Sequence, residues 1–378
     1  MQGSFDVLVV GAGITGLSVA AALSDSCRVA VLEREAAPGR HASGRAVAIL
    51  RLLHGQPELR RLAEVSLPFL GDRHPEIDAR PLVHRRGMLL LARADQLELL
   101  ERVATHPYSD GLLHRLDSQA LARLVPQLRQ GYAAGALLED GACDIDVPRL
   151  MDLARRRLEM RGGRLICGAG VRSLSRAAGL WRVETAAGGF SAPVIVNAAG
   201  AWADGLARLA GAAPVGLTSR RRTILDVEAQ GMQRLSLLPT IVDMDLHFYL
   251  KPESGRILIS PADETIAGTD ETLPEELDVT LCLDRIRACF DTGILSVRRV
   301  WAGLRSYTPD RLPVVGFDAG CPGFFWLAGQ GAVGIQTVPA MTALAASGIT
   351  GDPLSADYRS LADLGQRLSP DRFAPASP

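Results

Sequence analysis

A chain of 378 residues with 47% hydrophobic and 22% charged residues has the composition of a folded globular protein of two or three structural units, so disorder is excluded as its default state. Its 41 Lys and Arg residues nearly balance 42 Asp and Glu, and no basic tract stands out, which gives no sign of a nucleic-acid partner. Cys27, Cys143, Cys167, Cys282, Cys289 and Cys321 are scattered, with no C-x-x-C pair and no histidine at ligand spacing; a metal site and a disulfide framework are not expected, and a reducing compartment is.

Residues 5–10 are a short valine-rich run, as expected of a strand buried on both faces. Residues 11–16 read as a tight turn, 17–24 as an alanine-rich helix and 28–32 as a second buried strand. Gly11, Gly13 and Gly16 interrupt the apolar stretch 5–23, and residues 1–6 lack a positive n-region. Neither a signal peptide nor a membrane span is therefore expected; a cytoplasmic protein is, with peripheral contact to the inner face of the cell membrane left open.

A strand at 88–92 and a helix at 96–104 follow, then an amphipathic helix over 146–161 behind Pro148. Strands are expected at 164–166, 170–174, 181–185 and 194–197. Between 215 and 299, strand-like pieces (222–227, 247–251, 256–260) alternate with polar turns, and a helix over 281–290 closes the region. Residues 324–346 pass from strand to helix, and the tail after 369 looks loose. This layout predicts a nucleotide-binding layer interrupted by a largely antiparallel second domain.

Gly11-Ala12-Gly13-Ile14-Thr15-Gly16 is G-x-G-x-x-G between a strand and a helix. In such a motif the first glycine permits the sharp turn, the second lets the backbone approach a pyrophosphate, and the third lets helix and strand pack closely. Glu33 ends the next strand, where a carboxylate can bind ribose hydroxyls and repel a 2′-phosphate. The motif by itself leaves NAD and FAD both open, and the hexapeptide alone also fits a glycine turn in some other parallel sheet.

Four further segments bear on that choice. Glu33-Arg34-Glu35-Ala36-Ala37-Pro38-Gly39 with Ser43-Gly44-Arg45, the run Val194 to Trp202 containing Ala199-Gly200, the run Trp301-Ala302-Gly303-Leu304-Arg305-Ser306-Tyr307-Thr308-Pro309-Asp310, and Gly331-Ala332-Val333-Gly334-Ile335-Gln336 are collinear and span nearly the whole chain. They resemble the D-amino-acid oxidase and dehydrogenase superfamily of flavoenzymes, the bacterial D-arginine dehydrogenase type above all, with glycine and sarcosine oxidases as cousins. The resemblance implies an α/β, Rossmann-like FAD-binding domain on a parallel sheet (1–80, 144–214 and 301–378) and an inserted α+β substrate domain on a mixed, largely antiparallel sheet (81–143 and 215–300). It implies cofactor contacts at the segments just quoted, at Gly11 to Gly16, and at Val171 through its backbone. The Gly331 to Gly334 turn would offer backbone N–H groups to the negative charge of reduced flavin.

A substrate carboxylate calls for arginine, whose planar fork binds it bidentately. Arg305, inside the signature, is the first candidate and Arg222 the second; the resemblance implies that both face substrate together with Tyr249. Any of the three could instead be a structural or surface residue. Ile49 and His54 fall where relatives build a pocket wall and a lid. Ile49 stands in place of a histidine, His54 in place of a tyrosine, and Gly87 in place of a carboxylate that would receive a basic side chain. These departures weigh against arginine as substrate and for a small amino acid with an uncharged side chain, expected to be a D-amino acid. His54 is read as a pocket or lid residue, or equally as a surface histidine, and not as a catalyst, because hydride transfer from the alpha carbon needs no base when the amine is neutral.

The sarcosine oxidase branch links its flavin through a cysteine two residues before the signature tyrosine; Arg305 holds that position, so FAD is expected to be non-covalent. Leu258 occupies the apparent place of that branch's oxygen-activating lysine, which favours a quinone or another electron acceptor. The expected reaction is oxidative deamination to a 2-oxo acid and ammonia. The alternatives are a 2-hydroxy-acid or secondary-amine (glycine- or sarcosine-like) dehydrogenase or oxidase, and a flavin-binding subunit of a larger complex.

Overall fold

The computed structural model describes residues 3–53, 55–78, 80–230, 232–253, 255–269, 272–291 and 293–373. Its first sheet has six strands in the order Arg164–Ile166, Val29–Leu32, Val7–Val10, Val194–Asn197, Phe324–Ala328, Val314–Phe317, parallel except for the last pair. The sequences VLVV, VAVL and VIVN explain the placement, since β-branched runs with no polar alternation suit strands covered on both faces. Val7, Val9, Val29, Val31 and Val196 pack towards the helices Ile14–Leu23 and Val338–Thr350. Leu8, Val10, Ala30, Leu32 and Ile195 pack the other way, against the helix Ala203–Ala210 and the sheet carrying Trp181, Val183 and Phe190. Burying each such valine, leucine or isoleucine stabilises the fold by roughly 1.5–3 kcal/mol.

The second large sheet has eight strands, in the order Ile294–Tyr307, Thr218–Ala229, Arg256–Ser260, Tyr249–Glu253, Thr240–Asp243, Met88–Ala92, Gly135–Glu139, Leu113–Leu116. Only the pairing of Thr240–Asp243 with Met88–Ala92 is parallel, so this sheet is mixed and largely antiparallel. Its edge strand Ile294–Tyr307 runs across residue 300, so Arg305 and its neighbours are hydrogen-bonded into this sheet and not into the parallel one. No helix among the described residues is long and apolar enough to cross a membrane.

Several element bounds differ from the sequence expectation. The helix expected over 281–290 is Glu276–Cys289. Its first turn carries Glu276 and Asp278, which favour a helix N-terminus, and its buried stripe is Cys282, Ile286 and Cys289. The strand expected over 222–227 extends to Thr218–Ala229, because the arginine run 220–222, polar in sequence, pairs along its whole length with Ile294–Tyr307. The helix Pro57–Gly71 had no counterpart in the sequence reading; Pro57 at its first position and the buried stripe Leu59, Leu62, Ala63, Ser66 and Leu70 account for it.

Candidate active site

A cavity of about 1330 Å³ lies between the two large sheets. The carboxyl ends of the parallel strands, at Val10, Leu32 and Leu327, form one wall, and Arg222, Val242 and Tyr249 of the mixed sheet form the opposite one. Crevices at the carboxyl ends of parallel strands are the usual ligand sites of such sheets. Among the residues singled out in the sequence, Gly11, Gly13, Ile14, Thr15, Glu33, Arg34, Ser43, Arg45, Ile49, Val171, Ala199, Gly200, Arg222, Tyr249, Gly303, Arg305, Gly331, Ala332, Val333, Gly334, Ile335 and Gln336 all line this one cavity. Ala12, Gly16 and Gly44 do not line it, and His54 lies outside the described residues.

The glycine turn is built to leave room and free donors. Gly11 has φ +105°, and a side chain there would meet the Ala198 carbonyl oxygen at 2.5 Å. A Cβ on Gly16 would stand 2.0 Å from the Gly11 oxygen, so helix and strand approach as closely as backbone allows. The Ile14 N–H donates to Ser43 Oγ at 3.0 Å, while the N–H groups of Gly13, Thr15 and Gly16 have no acceptor among the described residues. Glu33 accepts from the Ala12 N–H at 2.7 Å and from the Glu35 N–H at 2.9 Å, which holds the turn against the second strand. Beside it the Arg34 guanidinium lies 3.8 Å over the Trp202 ring, and His41 packs on the same ring with centroids 4.6 Å apart.

The opposite flank is the turn after Phe324–Ala328. Gly331 has φ +55°, and a Cβ there would be 2.3 Å from the Tyr307 ring, so this position takes no side chain without displacing the ring. Gly331 and Val333 spend their N–H groups on the Ser306 and Gln330 carbonyls. Those of Ala332, Gly334 and Ile335 have no acceptor among the described residues and are available to a ligand. The Gln336 side chain binds the facing loop: its oxygen accepts from the Arg51 N–H at 2.9 Å and its amide donates to the Arg51 carbonyl at 3.3 Å. Arg45 ties the loop 43–49 to the edge strand, donating to the Ala302 carbonyl at 2.8 Å and accepting from Trp301 Nε1 at 3.1 Å.

The polar groups of the remaining wall converge. Arg222 and Tyr249 are buried, and Arg222 lies opposite Gly303 in the strand pairing that also sets Arg220 opposite Arg305. The Arg305 side chain makes no hydrogen bond or ion pair among the described residues, its backbone being paired in the sheet. Burial, and next the positive charge of Arg305, pull the Arg222 guanidinium below its ordinary range. The Tyr249 hydroxyl has no partner of hydrogen-bonding geometry, although Ser260 lies opposite it on the neighbouring strand; burial pushes this phenol up. The sequence reading missed two participants, Glu264 and Tyr307. Glu264 accepts from Arg222 Nη2 at 3.2 Å and from the Tyr307 hydroxyl at 3.3 Å. Tyr307 was visible as part of the 301–310 signature, whereas no local motif marks Glu264.

Residues 6–347 match the family described as DAO, FAD dependent oxidoreductase. The chain belongs to this FAD-dependent oxidoreductase family. It is 27% identical to a glycine oxidase of Pseudomonas putida over 92% of this chain and 95% of that one. It is also 27% identical to the hydrogen cyanide synthase subunit HcnC of Pseudomonas aeruginosa, over 89% of this chain and 90% of the relative. Its fold superposes on a crystal structure of glycine oxidase from Geobacillus kaustophilus with a TM-score of 0.79 and 24% identity, covering 94% and 98% of the two chains.

The flavoprotein's cofactor is FAD, and the cavity suits it: two separate backbone turns present unpaired N–H groups, and a buried carboxylate stands at the end of the second strand. Gly16→Ala is accordingly expected to cost about 1–3 kcal/mol of stability through overpacking. It should also lower FAD content, checked by the visible-to-ultraviolet absorbance ratio and by thermal denaturation; a fully loaded, equally stable variant would contradict this account of the turn.

Proposed function

We propose that this FAD-dependent oxidoreductase oxidises a small amino or secondary-amine acid of the glycine type at the carbon between nitrogen and carboxylate. The observation that carries the reading is Arg305, a guanidinium without a counterion among the described residues that shares one cavity with the flavin-side turns. A small carboxylate docked on its fork would be held bidentately. Arg222 and the unpartnered Tyr249 hydroxyl stand ready as further donors to the same anion. Bound FAD supplies the hydride acceptor.

The residues of this chain contribute position and exclusion of water. Arg305 fixes the carboxylate, and with it the direction of the adjacent C–H bond. Ile49, Ile224, Val242 and Met88 give the pocket apolar surface, which suits an uncharged side chain. The amine must arrive neutral to release a hydride, and the resulting imine is then hydrolysed by water. Similarity to glycine oxidases supports the glycine-like substrate over a larger D-amino acid. A D-amino acid with a small uncharged side chain is the second reading, favoured by the apolar wall around Ile49. Similarity to HcnC supports a third, in which the chain works beside partner subunits.

FAD is proposed to be held without a covalent bond, since Arg305 occupies the linking position and no cysteine lines the cavity. A carrier other than oxygen is proposed as electron acceptor, since Leu258, buried opposite Lys251 in the strand pairing, stands in the place read for an oxygen-activating lysine. The purified protein should release intact FAD on acid precipitation. Its visible absorbance should bleach anaerobically with glycine, sarcosine or small D-amino acids and not with L-amino acids or 2-hydroxy acids. Bleaching by 2-hydroxy acids alone would overturn the amine assignment, and flavin retained in the precipitate would overturn the non-covalent one.

A further inference from the structure

We infer that Glu264 is a specificity-determining residue: by holding Arg222, it admits a single substrate carboxylate to Arg305 and disfavours substrates with a second anionic group. The inference deepens the carboxylate clamp just proposed and rests on it.

The Glu264 carboxylate is fixed from several sides. One oxygen accepts from Arg222 Nη2 at 3.2 Å and from the Tyr307 hydroxyl at 3.3 Å, and the other lies 3.5 Å from Arg311 Nη2 at the exposed rim. Its backbone is held too. The Glu264 carbonyl accepts from Arg220 Nη1 at 3.0 Å, and the Thr265 carbonyl accepts from the Arg221 N–H at 2.8 Å. The neighbouring Asp263 accepts from the Thr223 N–H at 2.6 Å and from its hydroxyl at 3.1 Å. The segment is thus stitched to the strand Thr218–Ala229 residue by residue, and the acid projects into the cavity as a built feature.

Charge arithmetic then separates the two arginines. Arg222 already has an anionic partner in Glu264, and Arg305 has none among the described residues. One incoming carboxylate completes the set at Arg305. A second anionic group on the same small molecule would need Arg222 and would meet the Glu264 carboxylate, a like charge it must displace. Because Glu264 is about a third exposed, its repulsion is screened in part and acts as a filter of degree.

The test uses FAD-loaded protein and non-oxidisable anions, so that it is independent of turnover. Acetate and malonate are titrated into the parent, Glu264→Gln and Glu264→Asp, with binding read from the visible spectrum of the bound flavin and from calorimetry. Glu264→Gln should raise the malonate-to-acetate affinity ratio by about tenfold or more, the consequence of removing a neighbouring like charge. Glu264→Asp, which keeps the charge, should stay near the parent ratio. FAD content and melting temperature identify a variant that has merely loosened the segment. An unchanged ratio in a well-folded, FAD-loaded Glu264→Gln, or an equal loss of both anions, would overturn the inference and leave the clamp standing. Failure of the parent to bind acetate at all would overturn the clamp itself, and this inference with it.

Discussion

Arg305→Ala is expected to lower kcat/KM by roughly 30- to several-thousand-fold, the consequence of about 2–5 kcal/mol lost when one member of a desolvated charge pair is truncated. FAD content should not change. Arg305 sits on the edge strand Ile294–Tyr307 and makes no contact that organises either backbone turn, so the protein loses no fold-supporting bond with it. Arg305→Lys keeps the charge and loses the planar fork, and should recover only part of the activity. Arg222→Ala should be milder in its effect on substrate, because part of the Arg222 charge is already spent on Glu264. Stopped-flow reduction with flavin-matched samples separates binding from the chemical step. Turnover within a few-fold of the parent in Arg305→Ala would eliminate the carboxylate clamp. Loss of FAD in that variant would assign the residue to the cofactor instead.

Lys251→Ala is expected to be the most destabilising single change away from the glycine turns, at about 3–5 kcal/mol. Lys251 is the only lysine of the chain and is fully buried. Its ammonium lies 3.4 Å from Asp144 Oδ1, 3.6 Å from Glu253 Oε1 and 3.4 Å from the Ala48 carbonyl oxygen. Removing the cation leaves Asp144 with Arg86 as its remaining partner and takes from the Ala48 carbonyl one donor, the Ile145 N–H at 3.3 Å remaining. Because Ala48 lines the cavity, flavin affinity should fall together with stability. Lys251→Met refills most of the volume without the charge. Urea unfolding of both variants therefore separates packing from electrostatics, and a loss under about 1 kcal/mol in Lys251→Ala would show that the network contributes little.

The sequence alone determined the parts whose physics is local. A turn that needs φ of +105° at Gly11, a helix that must touch a strand at Gly16 and a carboxylate at the end of the next strand lie within 33 residues, and the residue types are themselves the constraint. Apolar runs such as VLVV and VIVN likewise declare a doubly covered parallel sheet before any partner is known. The Gly331 to Gly334 turn was legible from its glycines ahead of an apolar, alanine-rich helix, whereas the Tyr307 ring that its first glycine faces was not.

Pairings between residues far apart in the chain were fixed only on folding. The polar run 218–222 became part of a twelve-residue strand because Ile294–Tyr307 satisfies its backbone, and that register sets Arg222 and Arg305 into one cavity. Glu264 carries no motif and acquires a role only from Arg222, Tyr307 and Arg311 around it. Gln336, read as a cofactor residue, spends its amide on the backbone of Arg51, 285 residues away. Lys251, remote in sequence from Asp144 and Ala48, became the buried centre of a charge network. Backbone conformation and burial pattern are written in neighbouring residues. The partner of a charged side chain is chosen by three-dimensional proximity and by the cost of leaving a buried charge unpaired, and neither quantity exists until the chain has folded.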